Sequence, residues 1–238
     1  WGSSLWSLIL AFINRADTGK LDPIFNNDIS FYLFSLPLYE ALNGFAGIAI
    51  FFAILVVAGG YIMKGGILFV GKRISFAKGV KEHLTVLLFL FFLRLAFGFY
   101  LDRFDLLYSP HSVLTGASYA DIHGRLIALR LLAPLSVAAC IIFSYALFRE
   151  HWKVIVYSVA TLILVYIFGF AIYPGIIQSF RVAPSEQAME EPFIKNHIAM
   201  TKYGYNLDNV RVIPFNVSFN LTTRDLEKNN PTIRNIRL

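Results

Sequence analysis

The stretch GFAGIAIFFAILVVAGGYI, from Gly44 to Ile62, contains no charged residue and no proline. Its apolar residues run on without the polar positions that recur in the surface helices of soluble proteins. A helix needs about 20 mainly apolar residues to cross the hydrocarbon core of a bilayer. The stretch therefore predicts a transmembrane helix, which we place at about residues 38–63.

Three later blocks have the same character and predict further spans at about residues 84–101, 126–148 and 154–173. The composition supports this interpretation, because 57% of the residues are hydrophobic and only 15% are charged. Soluble domains carry about 25% charged residues. The sequence thus predicts a mainly α fold, in which residues 38–174 form a polytopic transmembrane helix bundle of at least four spans.

The charged residues between the blocks predict the orientation of the bundle. Lysine and arginine dominate two connections, with Lys64, Lys72, Arg73, Lys78 and Lys81 between the first two spans and Arg149 and Lys153 between the last two. By the positive-inside rule, both connections face the cytoplasm. The segment after Tyr173 then lies outside, and the expected location is the cell membrane.

The net charge of +6 and the isoelectric point near 9.4 arise mainly from these connections. Membrane topology explains such charges without a nucleic-acid partner, so we predict none. The expected partners are the lipid bilayer and other membrane or envelope proteins. Anionic lipid is predicted to bind the cations of the first connection, which are Lys72, Arg73, Lys78 and Lys81.

The beginning of the chain, residues 1–37, differs from the bundle. Its apolar run from Trp1 to Asn14 is too short to span a bilayer comfortably. It predicts an external interfacial helix anchored by Trp1 and Trp6, with a truncated span as the alternative. We expect further residues to precede Trp1.

Residues 175–238 predict the beginning of an α+β extracytoplasmic domain that is cut short at Leu238. Ser185 is expected to cap a short acidic helix that Pro192 interrupts. A half-buried strand should follow, because apolar residues alternate with others at Ile213, Phe215, Val217 and Phe219.

Small residues predict which helix faces meet, because close backbone approach holds helices together in lipid. One face of the first span carries Ala46, Ala49, Ala53 and Gly60. One face of the third span carries Ala133, Ser136, Cys140 and Ser144, and we place Arg130 there as well. Both faces are expected to point into the bundle.

Five local sequences occur in order: DPIFNNDISFYLFSLPLYE (Asp22–Glu40), DLLYSP (Asp105–Pro110), GASYADIHGRL (Gly116–Leu126), QSFRVAPSEQAMEEPFIKNHIAMTKYGYNLDNV (Gln178–Val210) and NNPTIRNIRL (Asn229–Leu238). Together they resemble uncharacterised protein family 0182, whose members are large prokaryotic membrane proteins. The resemblance covers nearly the whole chain. It implies about seven spans followed by a large extracytoplasmic domain, with this chain in the middle portion. The chain departs mildly from the family in reading YADIHG for a YTDVHA-like stretch and in having Ser185 for asparagine.

The main candidates for a functional site form a possible intramembrane charge network of Arg94, Arg130, Glu40, Asp102, Asp105 and Asp121. Arg94 lies about midway along the second span, where an unpaired guanidinium costs at least ~2.5 kcal/mol. Glu40 and the aspartates are its expected partners. The network either locks the first three spans together or contributes to a substrate or proton pathway.

Asp121 and His123 form a second, weaker polar candidate in the external connection. A metal site needs three or four converging ligands, so we favour a role in ordering the loop. Glu190 and Glu191 are expected to form a solvated helix face. We predict no catalytic residues, no cofactor and no metal site, because no serine has a paired base and no glycine loop fits a phosphate-binding pattern.

Three functions fit this pattern. The first is a non-enzymatic scaffold or subunit of a cell-envelope membrane complex. The second is a transporter or lipid-handling channel, which Arg94, Arg130 and the helix-kinking Pro134 would serve. The third is a membrane-anchored ectoenzyme whose catalytic groups lie beyond this chain. The sequence favours the first.

Overall fold

The fold is taken from a computed structural model that describes residues 2–70, 73–77, 79–111, 114–149, 151–210 and 222–235. Within these ranges, four helical stretches are long and apolar enough to cross a membrane: Phe31–Met63, Val80–Tyr108, Asp121–Phe148 and Lys153–Gly204. Each of them contains one of the predicted spans. The predicted helical bundle is therefore confirmed.

The first half of the chain supplies a short helix and two long helices. The α-helices are α1 (Gly2–Ile13), α2 (Leu36–Met63) and α3 (Val80–Asp105). A π-helical turn at Phe31–Ser35 precedes α2, and a 3₁₀ turn at Leu106–Tyr108 follows α3. Two antiparallel hairpins fill connections: β1 (Ile67–Val70) pairs with β2 (Arg73–Phe76), and β3 (Pro110–His111) with β4 (Leu114–Thr115).

The second half continues with α4 (Leu126–Phe148), α5 (Trp152–Ile167), α6 (Tyr173–Ile177), α7 (Glu186–Gly204), α8 (Thr223–Lys228) and α9 (Asn230–Arg234). Short π-helical or 3₁₀ turns join some of them, at Asp121–Arg125, Phe168–Ile172, Gln178–Val182, Ala183–Ser185 and Leu207–Asn209. The stretch from α5 to the end of α7 is thus one continuous helical path. Along this path, the backbone hydrogen bonds change from α-helical to π-helical or 3₁₀ spacing near Pro174 and Pro184. Helices commonly bend at prolines.

The long helices pack in chain order, with α3 between α2 and α4, and α4 against α5. Apolar clusters fill these contacts, and one of them joins Phe92 of α3, Leu132 and Cys140 of α4, and Leu162 of α5. Cys140 is buried and reduced. The core therefore lies along the helix contacts, as expected for a helix bundle.

Two glycines allow the start of the third long helix to approach the helical path after α4 closely. A methyl group at Gly169 would overlap the side chain of Ala128, and one at Gly124 would lie 3.3 Å from Pro174. Small residues permit such contacts because they let two backbones meet. The buried hydroxyl of Ser136 donates to the Leu132 carbonyl of its own helix, 2.8 Å away. Its hydrogen is therefore not used in a bond to a neighbouring helix.

The predicted small-residue faces are partly wrong. Ser136 and Cys140 are buried, but Arg130 is exposed. At 100° per residue, Arg130 lies about 120° around α4 from Ser136, which explains its outward position. Ala49 is also exposed, because the side of α2 that meets α3 is centred on Gly47, about 160° away around the helix.

The predicted break at Pro192 is wrong, and the helix that contains the predicted fourth span continues beyond Tyr173. The helical path continues through α7, with Pro192 inside that helix. Ser185 donates its hydroxyl to the Arg181 carbonyl at 3.3 Å, four residues earlier, instead of capping a helix start. Good helix formers such as Met189 precede Pro192 and offset the loss of one backbone hydrogen bond.

The chain divides into two compact units, Trp1–Ile198 and Ala199–Leu238. The described part of the second unit is helical, and Thr222 and Asp225 form a reciprocal cap at the start of α8. The alternating residues that predict a strand, at Ile213, Phe215, Val217 and Phe219, fall outside the described residues. The fold class is therefore helical, and the predicted α+β outer domain has no support in the described part.

Candidate functional sites

The contact between α2 and α3 contains a half-buried polar feature centred on Arg94. The Arg94 Nε donates a hydrogen bond to the Asn43 backbone carbonyl at 3.0 Å. The guanidinium lies against Gly47, where an added Cβ would be 2.8 Å from Nε and 2.9 Å from Cζ. The Asn43 amide nitrogen in turn would lie 3.1 Å from a Cβ at Gly98. Glycine at 47 is therefore what allows the arginine to enter the contact.

Arg94 lies deep along the helix pair. It precedes the end of α3, at Asp105, by 11 residues (105 − 94), which is about 16 Å of helix. No carboxylate among the described residues lies within 4 Å of its guanidinium, although Asp102 interacts with it electrostatically at longer range. Arg94 thus bonds to backbone and makes no close ion pair with Glu40 or the aspartates that were its expected partners. Such a hydrogen bond would offset part of the cost of a charge in lipid.

Three carboxyl groups lie near the end of the same helix pair. Glu40 of α2 interacts with Asp105 and Asp102 of α3. The Glu40 Oε1 atom is buried and has no hydrogen-bond partner within the described ranges. The structure therefore brings together Glu40, Asp102 and Asp105, places Arg94 farther along the same contact, and leaves Arg130 exposed on α4.

Asp121 belongs to a separate site at the start of the third long helix. It is fully buried, and its carboxylate accepts hydrogen bonds from the Ser118 N–H at 3.1 Å and the Ser118 hydroxyl at 3.0 Å. The Ser118 Oγ accepts the Asp121 N–H in return, at 3.2 Å. Arg125 completes the site with a 2.7 Å salt bridge. These reciprocal bonds form a capping box, and the spacing of Ser118 and Asp121 is the sequence signal for it.

The predicted pair of Asp121 and His123 does not converge. The His123 ring stacks on Tyr119, with centroids 4.0 Å apart, and its Nδ1 lies 3.1 Å from the Tyr119 carbonyl. Asp121 meanwhile faces Ser118 and Arg125. Within the described ranges, no group of three or more potential metal-binding side chains comes together. These contacts of Asp121 and His123 lie within the start of this helix, which agrees with the predicted role in ordering the loop and does not test it.

Tyr119 connects this helix start to α7. Both carboxylate oxygens of Glu190 lie 3.1 Å from the Tyr119 backbone nitrogen and accept its hydrogen. The Phe193 ring meets the Tyr119 ring edge-on at 6.3 Å, and the Arg181 guanidinium lies 5.5 Å from the centre of that ring. His197 approaches Gly116, where an added Cβ would be 3.4 Å away. We call this group the Tyr119 joint.

The prediction of a solvated face holds for Glu191 and is wrong for Glu190. Glu191 is exposed and pairs with Lys195 at 2.7 Å, one turn along α7. Glu190 instead satisfies a free N–H at a helix start, where a negative charge is also favourable. Adjacent residues on a helix point in different directions, so the sequence alone could not show which glutamate meets the bundle.

The loop before α2 is ordered by two aspartates. The Asp28 carboxylate accepts the backbone N–H groups of Ser30 at 2.8 Å and Gly19 at 2.9 Å. The hydrogen bonds from Ser30 and Thr18 hold the pKa of Asp28 well below its usual range. The buried Asp22 accepts the Tyr32 hydroxyl at 3.1 Å. This part of the Asp22–Glu40 sequence is therefore a structural turn.

Comparison with known proteins shows which family this chain matches. The model of the uncharacterised protein family UPF0182 matches residues 1–238. Proteins of that name from Geobacter sp. (strain M21) and Pelobacter propionicus are 40% and 38% identical to this chain over 238 residues. One from Frankia alni is 34% identical over 238 residues.

The chain spans only part of these relatives, namely 27% of the Geobacter and Pelobacter proteins and 23% of the Frankia protein. No solved structure matches it. Two of the five sequences that carried the resemblance meet in the Tyr119 joint, which joins Gly116–Leu126 to Gln178–Val210. With the family model matching along its entire length, the chain belongs to the uncharacterised protein family UPF0182.

Proposed function

We propose that this chain is a non-enzymatic membrane scaffold, a subunit of a cell-envelope complex that holds its outer segment in a set position. The Tyr119 joint is the observation that carries the proposal. It ties the start of the third long helix to α7 through a hydrogen-bonded carboxylate and a cluster of rings. A connection with both polar and aromatic contacts resists bending better than a bare helical linker.

The helix contacts support the same proposal. The clusters between α3, α4 and α5 are apolar, and the hydroxyls of Ser136 and Ser144 bond to carbonyls of their own helix. A transport path needs polar groups that face a shared cavity. Hydroxyls bonded in this way supply none between these helices.

The proposal includes an orientation and a location. The ends of α2 and α4 would face the cytoplasm because the basic connections follow them, and α7 would lie outside the cell membrane. On this arrangement, α7 presents exposed residues such as Ile194 and Ile198 to other envelope proteins. Those proteins are the proposed partners.

The test compares Glu190→Gln with Glu191→Gln in the full-length protein. Native membranes are cross-linked, and the proteins that remain bound are identified in each case. Glu190→Gln should weaken the joint and lose bound envelope proteins, whereas Glu191→Gln should retain them because Glu191 pairs only with α7 itself in the described contacts. A full-length protein that purifies without partners from cross-linked membranes would contradict the scaffold.

A second candidate, a transporter or lipid-handling channel, rests on the polar contact between α2 and α3. Three carboxyl groups and a deep arginine share that contact. Intramembrane charges of this kind mark ion and proton paths in transporters. Reconstitution of the full-length protein with a pH-sensitive dye in the vesicle lumen tests this candidate. A proton flux that Glu40→Gln abolishes would favour transport over the scaffold.

The third hypothesis, a membrane-anchored ectoenzyme, would place its catalytic groups outside this chain. No contact among the described residues favours it.

A further inference from the structure

One end of the bundle carries a large excess of positive charge. Residues 64–82 and 149–153 together hold seven lysines and arginines and two glutamates: Lys64, Lys72, Arg73, Lys78, Lys81, Arg149 and Lys153, with Glu82 and Glu150. Their formal sum is +5 (7 − 2). The opposite end holds Glu40, Asp102, Asp105 and Asp121 with Arg103 and Arg125, for a sum of −2 (2 − 4). Lys72 and Lys78, for which the sequence predicts lipid binding, and Glu150 lie outside the described residues. The remaining charges, on Lys64, Arg73, Lys81, Arg149, Lys153 and Glu82, still sum to +4 (5 − 1), so the two ends differ strongly in charge.

Packing brings the two basic connections together. A buried cluster joins Val80 and Leu84 of α3, Ala146 and Leu147 of α4, and Ile155 of α5. Cations adjoin this cluster in the chain: Lys81 follows Val80, Arg149 comes two residues after Leu147, and Lys153 comes two residues before Ile155. Arg149 and Lys153 are exposed, and Lys81 is half-buried. We call Lys64, Lys81, Arg149 and Lys153 the basic end.

The hairpin of β1 and β2 is fastened to the basic end. The Gly66 N–H donates to the Tyr61 carbonyl at 2.7 Å, and the Ala77 N–H donates to the Gly66 carbonyl at 2.8 Å. Ile67 is buried in the cluster between the helices, and Phe76 packs against it. The hairpin thus forms part of the bundle, and the groups around it are held in place before any ligand binds.

Large apolar side chains lie exposed beside these cations. Met63 is 90% exposed and Leu68 is 52% exposed. Apolar groups that emerge among lysines and arginines are typical of surfaces that rest in the headgroup region of a bilayer. A soluble phosphate would satisfy the cations and would leave these side chains in water.

We propose that the basic end binds the anionic headgroups of the lipid leaflet that surrounds it, with Lys81, Arg149 and Lys153 as phosphate-facing cations and Leu68 and Met63 among the acyl chains. The charge complementarity and the exposed apolar groups together select a lipid. This interaction goes beyond the scaffold, because it concerns which lipids the bundle recruits and does not depend on any protein partner.

The test uses the purified full-length protein and native mass spectrometry, with phosphatidylglycerol and phosphatidylcholine of equal chain length as probes. The wild type should retain phosphatidylglycerol in preference. Each of Lys81→Gln, Arg149→Gln and Lys153→Gln should weaken that binding by about fivefold, since a cation near an anionic surface contributes about 1 kcal/mol. Raising the salt concentration tenfold should weaken it further, because the attraction is screened.

The matched control neutralises three lysines elsewhere, with Lys20→Gln, Lys195→Gln and Lys202→Gln in one chain. This variant should keep the preference for phosphatidylglycerol. A triple variant of the basic end combines Lys81→Gln, Arg149→Gln and Lys153→Gln in one chain. Equal retention of both lipids by the wild type, or an equal loss in the control and in this triple variant, would overturn the proposal. Circular dichroism of each variant separates lost binding from lost folding, and the single substitutions serve if the triple variant unfolds.

Discussion

The guanidinium of Arg94 lies across Gly47 and donates its Nε hydrogen to the Asn43 carbonyl at 3.0 Å. A charged side chain and a glycine on the neighbouring helix thus fit one another within the contact of α2 and α3. The stability of this contact should therefore depend on the glycine as well as on the arginine.

Gly47→Ala should destabilise the chain by about 1.5–3 kcal/mol, because its methyl group would displace the Arg94 guanidinium from its hydrogen bond to the Asn43 carbonyl. In an Arg94→Ala background, the same change should cost little, since the guanidinium is gone. Gly44→Ala is the control, because nothing lies within 4 Å of a Cβ at that position. Thermal unfolding in detergent measures all four variants, and equal costs of Gly47→Ala in the two backgrounds would show that the residues are not coupled.

Gly169→Ala should also destabilise the chain by about 1–3 kcal/mol, because the new methyl group would overlap the Ala128 side chain. Ala128→Gly should recover part of the loss by making room. Gly175→Ala provides the control, since a Cβ there meets nothing within 4 Å. If Gly169→Ala unfolds at the wild-type temperature, the close approach of the helices at this point is absent in solution.

The orientation of the bundle can be tested by cysteine labelling in a Cys140→Ala background. Cysteines at His151 and Glu186 are suitable because both residues are exposed, and because His151 precedes the helical path while Glu186 lies at the start of α7 within it. In intact cells, an impermeant thiol reagent should leave His151→Cys unlabelled and react with Glu186→Cys. Both should react after the cells are opened. The reverse pattern in intact cells would place α7 in the cytoplasm.

The loop held by Asp28 should depend on pH. Hydrogen bonds from Ser30 and Thr18 lower the pKa of Asp28 in the folded chain. A lowered folded pKa means that the carboxylate stabilises the loop above its unfolded pKa, near 3.9, and loses this effect as the pH falls toward the folded pKa. Asp28→Asn should therefore loosen the loop at pH 7, and the difference from the wild type should shrink below about pH 4.

Hydrogen exchange at the Gly19 and Ser30 amides measures this effect, because both donate to Asp28. Exchange at these amides should speed up in Asp28→Asn at neutral pH. Asp208→Asn, in the other compact unit, should leave it unchanged. If Asp28→Asn left the protection of these amides unchanged at every pH, Asp28 would not be what orders this loop.

The presence of the long apolar helices was predictable from the sequence, because it depends on the composition of consecutive residues. Uncharged runs such as Gly44–Ile62 have to form helices in lipid, where every backbone group needs a partner within the segment. Helix ends were less predictable. The path through Pro174 and Pro192 continues to Gly204, because a proline costs one hydrogen bond and its neighbours can offset that cost.

The candidate sites were predictable in part. Glu40, Asp102 and Asp105 do lie near one another, since each is close to a helix end at the same side of the bundle. The partner of Arg94 was not predictable, because a backbone carbonyl leaves no mark in the sequence. Arg130 was assigned to the wrong face because a spacing of six residues leaves two side chains about 120° apart.

By itself, the sequence determined that this chain forms long apolar helices joined by basic connections on one side, because hydrophobic length and charge are properties of consecutive residues. Only the tertiary structure decided that Glu190 accepts the N–H of Tyr119, 71 positions earlier, and that Gly47 receives Arg94. Such pairings depend on the rotation and bending of whole helices. Those are fixed by packing between distant segments, which no local pattern records.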